Sequence, residues 1–179
     1  QKRFCPEFLF KGGRVEARGE NWRFVLSDKG LPQEYAVNGR KIIDGESRIV
    51  VWRAPIDNDR YRVIWWKQQQ LDRANFYPMS VRTYSGKIVV KGKIVSDYVS
   101  PVADAVVEYR FTASGEGHVR LRAELGARAW WLPRFGICLP ECPLFEELTY
   151  FGRGTGGADC DRKDAAAGGL YRCPGDEAV

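Results

Sequence analysis

Hydrophobic and polar residues alternate with a period of two along much of this 179-residue chain, the spacing of strands that bury one face. Residues 87–95 read Lys-Ile-Val-Val-Lys-Gly-Lys-Ile-Val, with Ile88, Val90 and Ile94 on one side. Residues 118–125 place Val119, Leu121, Ala123 and Leu125 on one side and Arg120, Arg122 and Glu124 on the other. Together with residues 104–113 they flank Ser114-Gly115-Glu116-Gly117, which predicts an antiparallel hairpin with one buried and one wet face. Further strands are expected over residues 14–18, 22–26, 33–37, 47–53, 134–139 and 148–151. Asn38-Gly39 is a strong hairpin-turn signal after the third of these.

The helical pattern is confined to residues 65–75, Trp-Trp-Lys-Gln-Gln-Gln-Leu-Asp-Arg-Ala-Asn, which lack β-branched side chains. Trp65, Gln69 and Arg73 share one side and Trp66, Gln70 and Ala74 the next, enough for one or two turns. From Gly152 onward the chain is rich in Gly, Ala and Asp and reads as loop. No repeat of solenoid or propeller length is present. The fold class expected is all-β, an antiparallel sandwich with at most one or two short helices. Residues 1–13 are expected as a leader or linker and residues 14–179 as one sandwich domain.

Composition narrows the class. Hydrophobic residues are 44% and charged residues 28% of the chain, which supports a packed core and excludes wholesale disorder. No apolar run reaches the length of a bilayer span, and no signal peptide is visible. A cytoplasmic protein is expected, and Gln1 in place of Met reads as a piece of something longer. The net charge of +5 and pI of about 9.0 permit an anionic partner. The cations are scattered, with Arg60, Arg62 and Lys67, then Lys87, Lys91 and Lys93, as the densest groups. A solvated surface is the expectation, and neither nucleic acid nor membrane is expected as a partner. Five cysteines (Cys5, Cys138, Cys142, Cys160, Cys173) and one histidine, His118, do not make a structural zinc pattern. Reduced, buried thiols and a solvated histidine are expected.

The densest polar cluster is Trp52-Arg53-Ala54-Pro55-Ile56-Asp57-Asn58-Asp59-Arg60. Its three acceptor side chains could bind sugar hydroxyls, bind Ca2+, or cap their own turn. The EF-hand pattern is absent. Tyr150-Phe151-Gly152-Arg153-Gly154-Thr155-Gly156-Gly157 is glycine-rich but lacks the Gly-Lys-Ser/Thr ending of a phosphate loop. The pairs Trp65-Trp66 and Trp130-Trp131 suit a core or a sugar face, one ring in and one out. Nothing marks a proton donor with a partner carboxylate across a cleft, as glycoside hydrolysis requires.

Trp-Arg-Ala-Pro-x-Asp-Asn-Asp at residues 52–59 resembles the signature near the start of the C-terminal domain of family 2 β-galactosidases. The resemblance extends over Ser27-Asp28-Lys29-Gly30-Leu31, Tyr35 and Asn38-Gly39. It continues in Leu132-Pro133-Arg134-Phe135-Gly136, Tyr150-Phe151-Gly152-Arg153-Gly154, Asp161-Arg162-Lys163 and Gly169-Leu170-Tyr171, in the family's order. Where the family continues Pro-x-Glu-Asn-Tyr after the Gly-Arg-Gly loop, this chain has Thr155, Gly157, Ala158 and Asp159. The resemblance implies a galactose mutarotase-like β-supersandwich, longer than this chain. It also implies a parent enzyme whose two catalytic Glu residues lie on a separate barrel domain. No catalytic residue and no metal ligand carries over. The substrate-facing candidates are Asp57, Asn58, Asp59, Arg60 and Arg153. No cofactor is expected in this chain, and a parent enzyme would use Mg2+ or Na+ through other domains. The partners implied are the remaining domains of a parent polypeptide, a galactoside or oligosaccharide, and a second copy in a homo-oligomer. A non-catalytic domain of a β-galactosidase-like hydrolase is the expected function, with an independent carbohydrate-binding module as the alternative. An incomplete sandwich is expected to expose an apolar face or strand edge, and so to dimerise or aggregate in isolation.

Overall fold

The computed structural model describes residues 5–98, 101–126, 131–140, 147–153 and 168–174. The chain divides into two compact units, Gln1–Glu141 and Cys142–Val179. In the first, β1 (Glu7–Lys11), β2 (Arg14–Arg18), β3 (Trp22–Leu26), β4 (Pro32–Val37) and β5 (Arg40–Asp44) form an antiparallel five-stranded sheet in chain order. The residues expected as leader thus contribute a strand: Phe8 lies opposite Ala17 and Phe10 opposite Val15. The β4–β5 turn is Asn38-Gly39, both at positive φ (51° and 75°), as a two-residue hairpin requires.

β6 (Arg48–Val50) leads to a 3-10 turn at Asp57–Asp59, helix α1 (Arg62–Gln68) and a second 3-10 turn at Leu71–Arg73. The second sheet contains β7 (Asn75–Tyr84), β8 (Lys87–Val95), β9 (Ala103–Phe111) and β10 (Gly117–Leu125), in the order β10-β9-β8-β7. β11 (Gly136–Cys138) pairs with β6, Ile137 opposite Ile49. In the second unit β12 (Glu147–Arg153) pairs with β13 (Gly168–Pro174), Tyr150 opposite Tyr171. Part of the tail expected as loop is therefore strand. All pairings are antiparallel, which bears out the all-β class. Among the described residues no helix is long and apolar enough to cross a membrane.

The two large sheets share one core. Val15, Ala17, Trp22, Phe24 and Leu26 join Ile88, Val90, Ile94, Ala103, Ala105, Val107, Tyr109 and Phe111 in a single buried cluster. These are the alternate positions of their strands, so the period-two pattern is what fills the sandwich. Trp22 stacks on Phe111 at 4.8 Å between centroids, and Phe24 meets Tyr109 at 5.3 Å. Two polar ties cross between the sheets. The indole of Trp22 donates to the Ala113 carbonyl (3.3 Å), and the fully buried Tyr109 hydroxyl donates to the Gly30 carbonyl (3.0 Å). Gly30 sits at φ 68° and a Cβ there would lie 2.6 Å from Val90 Cγ1. Only glycine lets this turn descend onto the opposite sheet.

Three expectations are corrected. The helix starts three residues earlier and ends at Gln68, because Val63 and Trp66, one turn apart, face the core and Gln70 adopts φ 50°. Burial of one face overrides the reluctance of Val63 and Ile64 to be helical. Val119, Leu121, Ala123 and Leu125 are on the core side of the sheet, opposite Tyr109, Val107, Ala105 and Ala103. Leu121 is partly buried against the core, yet no described layer covers the strand's ends: Val119 is 52% and Leu125 40% exposed. Cys5 and Cys138 are free and exposed rather than buried, while Cys142 and Cys160 lie outside the described residues.

Tyr109→Phe is expected to destabilise the fold by about 1–3 kcal/mol, since it leaves the Gly30 carbonyl buried without a donor. Urea denaturation would read this as a lower midpoint at an unchanged slope. Glu16 is held below the usual carboxylate range by hydrogen bonds from Arg23 and Arg18, and Glu108 by Lys87 and Arg110. Their ion pairs therefore stabilise the fold fully above the ordinary value of 4.5 and are lost as pH falls through the lowered folded-state pKa. The thermal midpoint should drop on acidification below that value, and Glu108→Gln should flatten the drop.

Candidate functional site

Strand β6 carries the chain out of the core at Val51, and the motif of residues 52–60 turns there. Asp59, one of the sequence candidates, does not face solvent: it is 2% exposed. One carboxylate oxygen lies 3.0 Å from Arg53 Nη2. The other lies 2.6 Å from Arg53 Nη1 and accepts from the Ile56 backbone N–H at 2.9 Å. The Asp59 N–H donates back to the Ile56 carbonyl at 2.8 Å. This is the self-capping chemistry open to an Asp in a turn, strengthened by a two-point guanidinium–carboxylate pair. Arg53 extends the clamp. Its Nε donates to the Pro133 carbonyl and its Nη1 to the Ala54 carbonyl, both at 3.2 Å. Its guanidinium also lies 5.5 Å from the Trp66 ring centroid. One side chain thus joins the turn, α1 and the segment around Pro133.

With Asp59 turned inward, Asp57, Asn58 and Arg60 stand on the surface. Beside them Tyr61, just before α1, is 76% exposed, and α1 presents Ile64 at 55% and Trp65 at 63% exposure. Trp66, next in sequence, is buried, so this pair has one ring in and one out, as expected. Trp66 stands edge-on to Trp52 (6.0 Å) and Trp131 (5.8 Å), and Arg62 lies over the Trp131 ring at 4.2 Å. Of these three rings only Trp66 is buried, and Trp131 is 44% exposed; the exposed apolar patch beside them is rimmed by Arg60 and Arg62. Trp130 lies outside the described residues.

An open groove of about 1310 Å³ borders the base of the motif. Its apolar lining includes Leu31, Ile49, Val51 and Phe76, and its polar lining includes Ser47, Arg73 and Arg134. Trp52, Arg53 and Ala54 contribute to it, but Asp57, Asn58, Asp59 and Arg60 do not. Arg153 closes β12 in the second unit, its backbone opposite Gly168, and its side chain lies outside what the structure describes. The structure therefore gathers Asp57, Asn58 and Arg60 on one surface turn and makes Asp59 a support. Among the described residues no cluster of three or more His, Cys, Asp or Glu could hold a metal ion. Asp59, enclosed and already paired, is not arranged as a proton donor or nucleophile with Asp57.

Sequence reasoning passed over Arg53 as the organiser and Tyr61 and Ile64 as surface. The available signal was an arginine inside the Trp-Arg-Ala-Pro run, six residues before an aspartate that can reach it. Tyr61 and Ile64 gave none, since an exposed aromatic and a core aromatic look alike in a short segment.

Residues 18–179 match the family described as "Beta galactosidase small chain". A β-galactosidase of Actinobacillus pleuropneumoniae is 24% identical over 184 aligned residues, covering 95% of this chain and 18% of that protein. One of Staphylococcus xylosus is 30% identical over 108 residues, covering 58% of this chain and 11% of that protein. The chain spans less than a fifth of the length of either relative.

Asp59→Ala is expected to cost about 3 kcal/mol, the lower end for a broken buried pair because Arg53 keeps part of its solvation. Asp57→Ala, on the surface of the same turn, should stay within about 0.5 kcal/mol of the parent. Chemical denaturation of the two variants side by side checks the contrast. Equal losses would remove Asp59 from the supporting role.

Proposed function

The chain belongs to the β-galactosidase small-chain family, and from that membership we infer that it serves as a non-catalytic domain of a larger glycoside hydrolase. The parent reaction would be hydrolysis of terminal β-galactosides with retention, through two carboxylates supplied by another domain. In this reading the chain shapes the substrate pocket with the exposed part of the 52–60 turn and packs on the catalytic barrel through the patch on α1. The observation that carries it is that patch. A seven-residue helix and the residue just before it leave Trp65 and Tyr61 mostly exposed, while a buried ion pair and a ladder of rings hold the adjoining turn in place. Exposed aromatics with arginines at their rim have the composition of an interface centre. The small share of each relative that this chain covers supports the presence of further domains.

The same rings favour a second reading, an independent sugar-binding module, because a Trp face stacks on the apolar face of a pyranose. The two readings separate in the intact polypeptide. If the patch packs on another domain, Trp65→Ala should lower its thermal stability and its turnover of a chromogenic β-galactoside together. Asp57→Ala should then raise KM with little loss of stability. If the patch binds sugar by itself, lactose should quench the Trp fluorescence of the chain alone, and Trp65→Ala should abolish the quench. Turnover and stability unchanged by Trp65→Ala would overturn the packing role. The chain alone is expected not to hydrolyse the chromogenic substrate.

A further inference from the structure

Strand pairing gathers the cations that are scattered along the sequence. On the outer face of the β7–β10 sheet, residues align in rows across the four strands. One row runs Tyr84, Lys87, Arg110, His118, and the next Arg82, Val89, Glu108, Arg120. Below them come Ser80, Lys91, Val106, Arg122 and then Tyr77, Lys93, Asp104, Glu124. Adjacent strands are about 4.8 Å apart and successive same-face residues about 6.8 Å, so the rows make one continuous patch. Seven Lys and Arg residues stand against three carboxylates on it, and four of the chain's five net positive charges are there.

Two of the three acids on the face are already taken, and Glu124, in the last row, is exposed with no ion pair to a described residue. Lys87 and Arg110 both grip Glu108 (2.9 and 2.6 Å), and Lys93 grips Asp104 (2.6 Å). Arg82, Lys91, Arg120 and Arg122 have no ion pair with any described residue, and all four are exposed. They surround Val89 and Val106, which are half-buried at the middle of the face. An apolar centre bordered by four unpaired cations, with Glu124 as the unpaired acid at the edge of the face, has the anatomy of a protein interface whose partner brings carboxylates. Complementary charge on a partner would set its register and lift the repulsion between Arg120 and Arg122.

We propose that this outer face docks a carboxylate-bearing surface elsewhere in the same polypeptide. The proposal rests on the reading that further domains accompany this chain, and it names a second contact, distinct from the α1 patch. A nucleic-acid strand fits less well. The exposed rings of the face, Tyr77 and Tyr84, lie only on edge strand β7, so the central strands offer valines where bases would need stacking partners. Glu108, Asp104 and Glu124 would also repel a polyanion, whereas a mixed protein surface can meet them.

Zero-length carboxyl-to-amine cross-linking of the intact polypeptide, followed by peptide mapping, tests this. Lys91 is expected to join an Asp or Glu outside these 179 residues, and the link should be lost in the Arg120→Glu, Arg122→Glu double variant. The Gln counterparts, which remove charge without adding repulsion, should keep part of it. Lys91 linked only to Glu108 or Asp104, or not at all, overturns the proposal. So does a link to the same stretch of a second copy in a mixture of light and heavy protein, or nucleic acid that co-purifies and is lost in the double variant. Lys67, at the end of α1, separates the two failures. Links from Lys67 beyond the stretch with Lys91 silent leave the multidomain reading standing and sink this one; silence from both sinks both.

Discussion

The Arg53–Asp59 pair is the constraint on which the candidate site depends. Taking a carboxylate to 2% exposure is costly unless every lone pair and proton is met. Here a two-point ion pair and the Ile56 N–H meet the carboxylate, and Arg53 donates further to the carbonyls of Ala54 and Pro133. Because those groups come from two stretches of chain, residues 53–59 and Pro133, satisfying the charge also fixes their mutual positions. The turn cannot relax without stranding a buried charge, and α1 cannot shift without losing the Trp66 ring under the guanidinium. What the turn offers to a partner is decided by what this pair withdraws from it.

The same economy of burial explains the surfaces left open. The sandwich core is filled by alternate residues of two meanders, closed by Trp22, Phe24, Tyr109 and Phe111. Beyond that overlap the pattern continues without a cover: Val119 and Leu125 lie on the core side of their sheet yet remain exposed. Tyr61 and Trp65 at α1, and the cations on the outer face of the second sheet, are likewise more apolar or more charged than solvation alone favours. The chain spans less than a fifth of each β-galactosidase it matches, and in the reading proposed above these surfaces meet further domains of the same polypeptide.

Much of the fold was legible because burial writes itself into a sandwich with period two. Residues 14–18, 22–26 and 87–95 are strands at those bounds, and Asn38-Gly39 turns as its residue types demand. The misses share a cause. β7 contains Pro78 at a bulge, tolerated because the strand lies at a sheet edge, a position that no local pattern reveals. β13 is glycine-rich and is a strand only because β12 lies beside it. The helix moved because the core wanted Val63 and Trp66.

By itself the sequence determined the all-β class, the alternating faces and the family motif of residues 52–59, since each is local or a matter of order along the chain. Only tertiary structure decided that Asp59 supports while Asp57 is displayed, that Val119 is uncovered, and that scattered lysines and arginines share one face. Those outcomes turn on which residues meet across strands and turns distant in sequence, and on whether a neighbouring layer reaches far enough to exclude water. Neither is written in the spacing of any single segment.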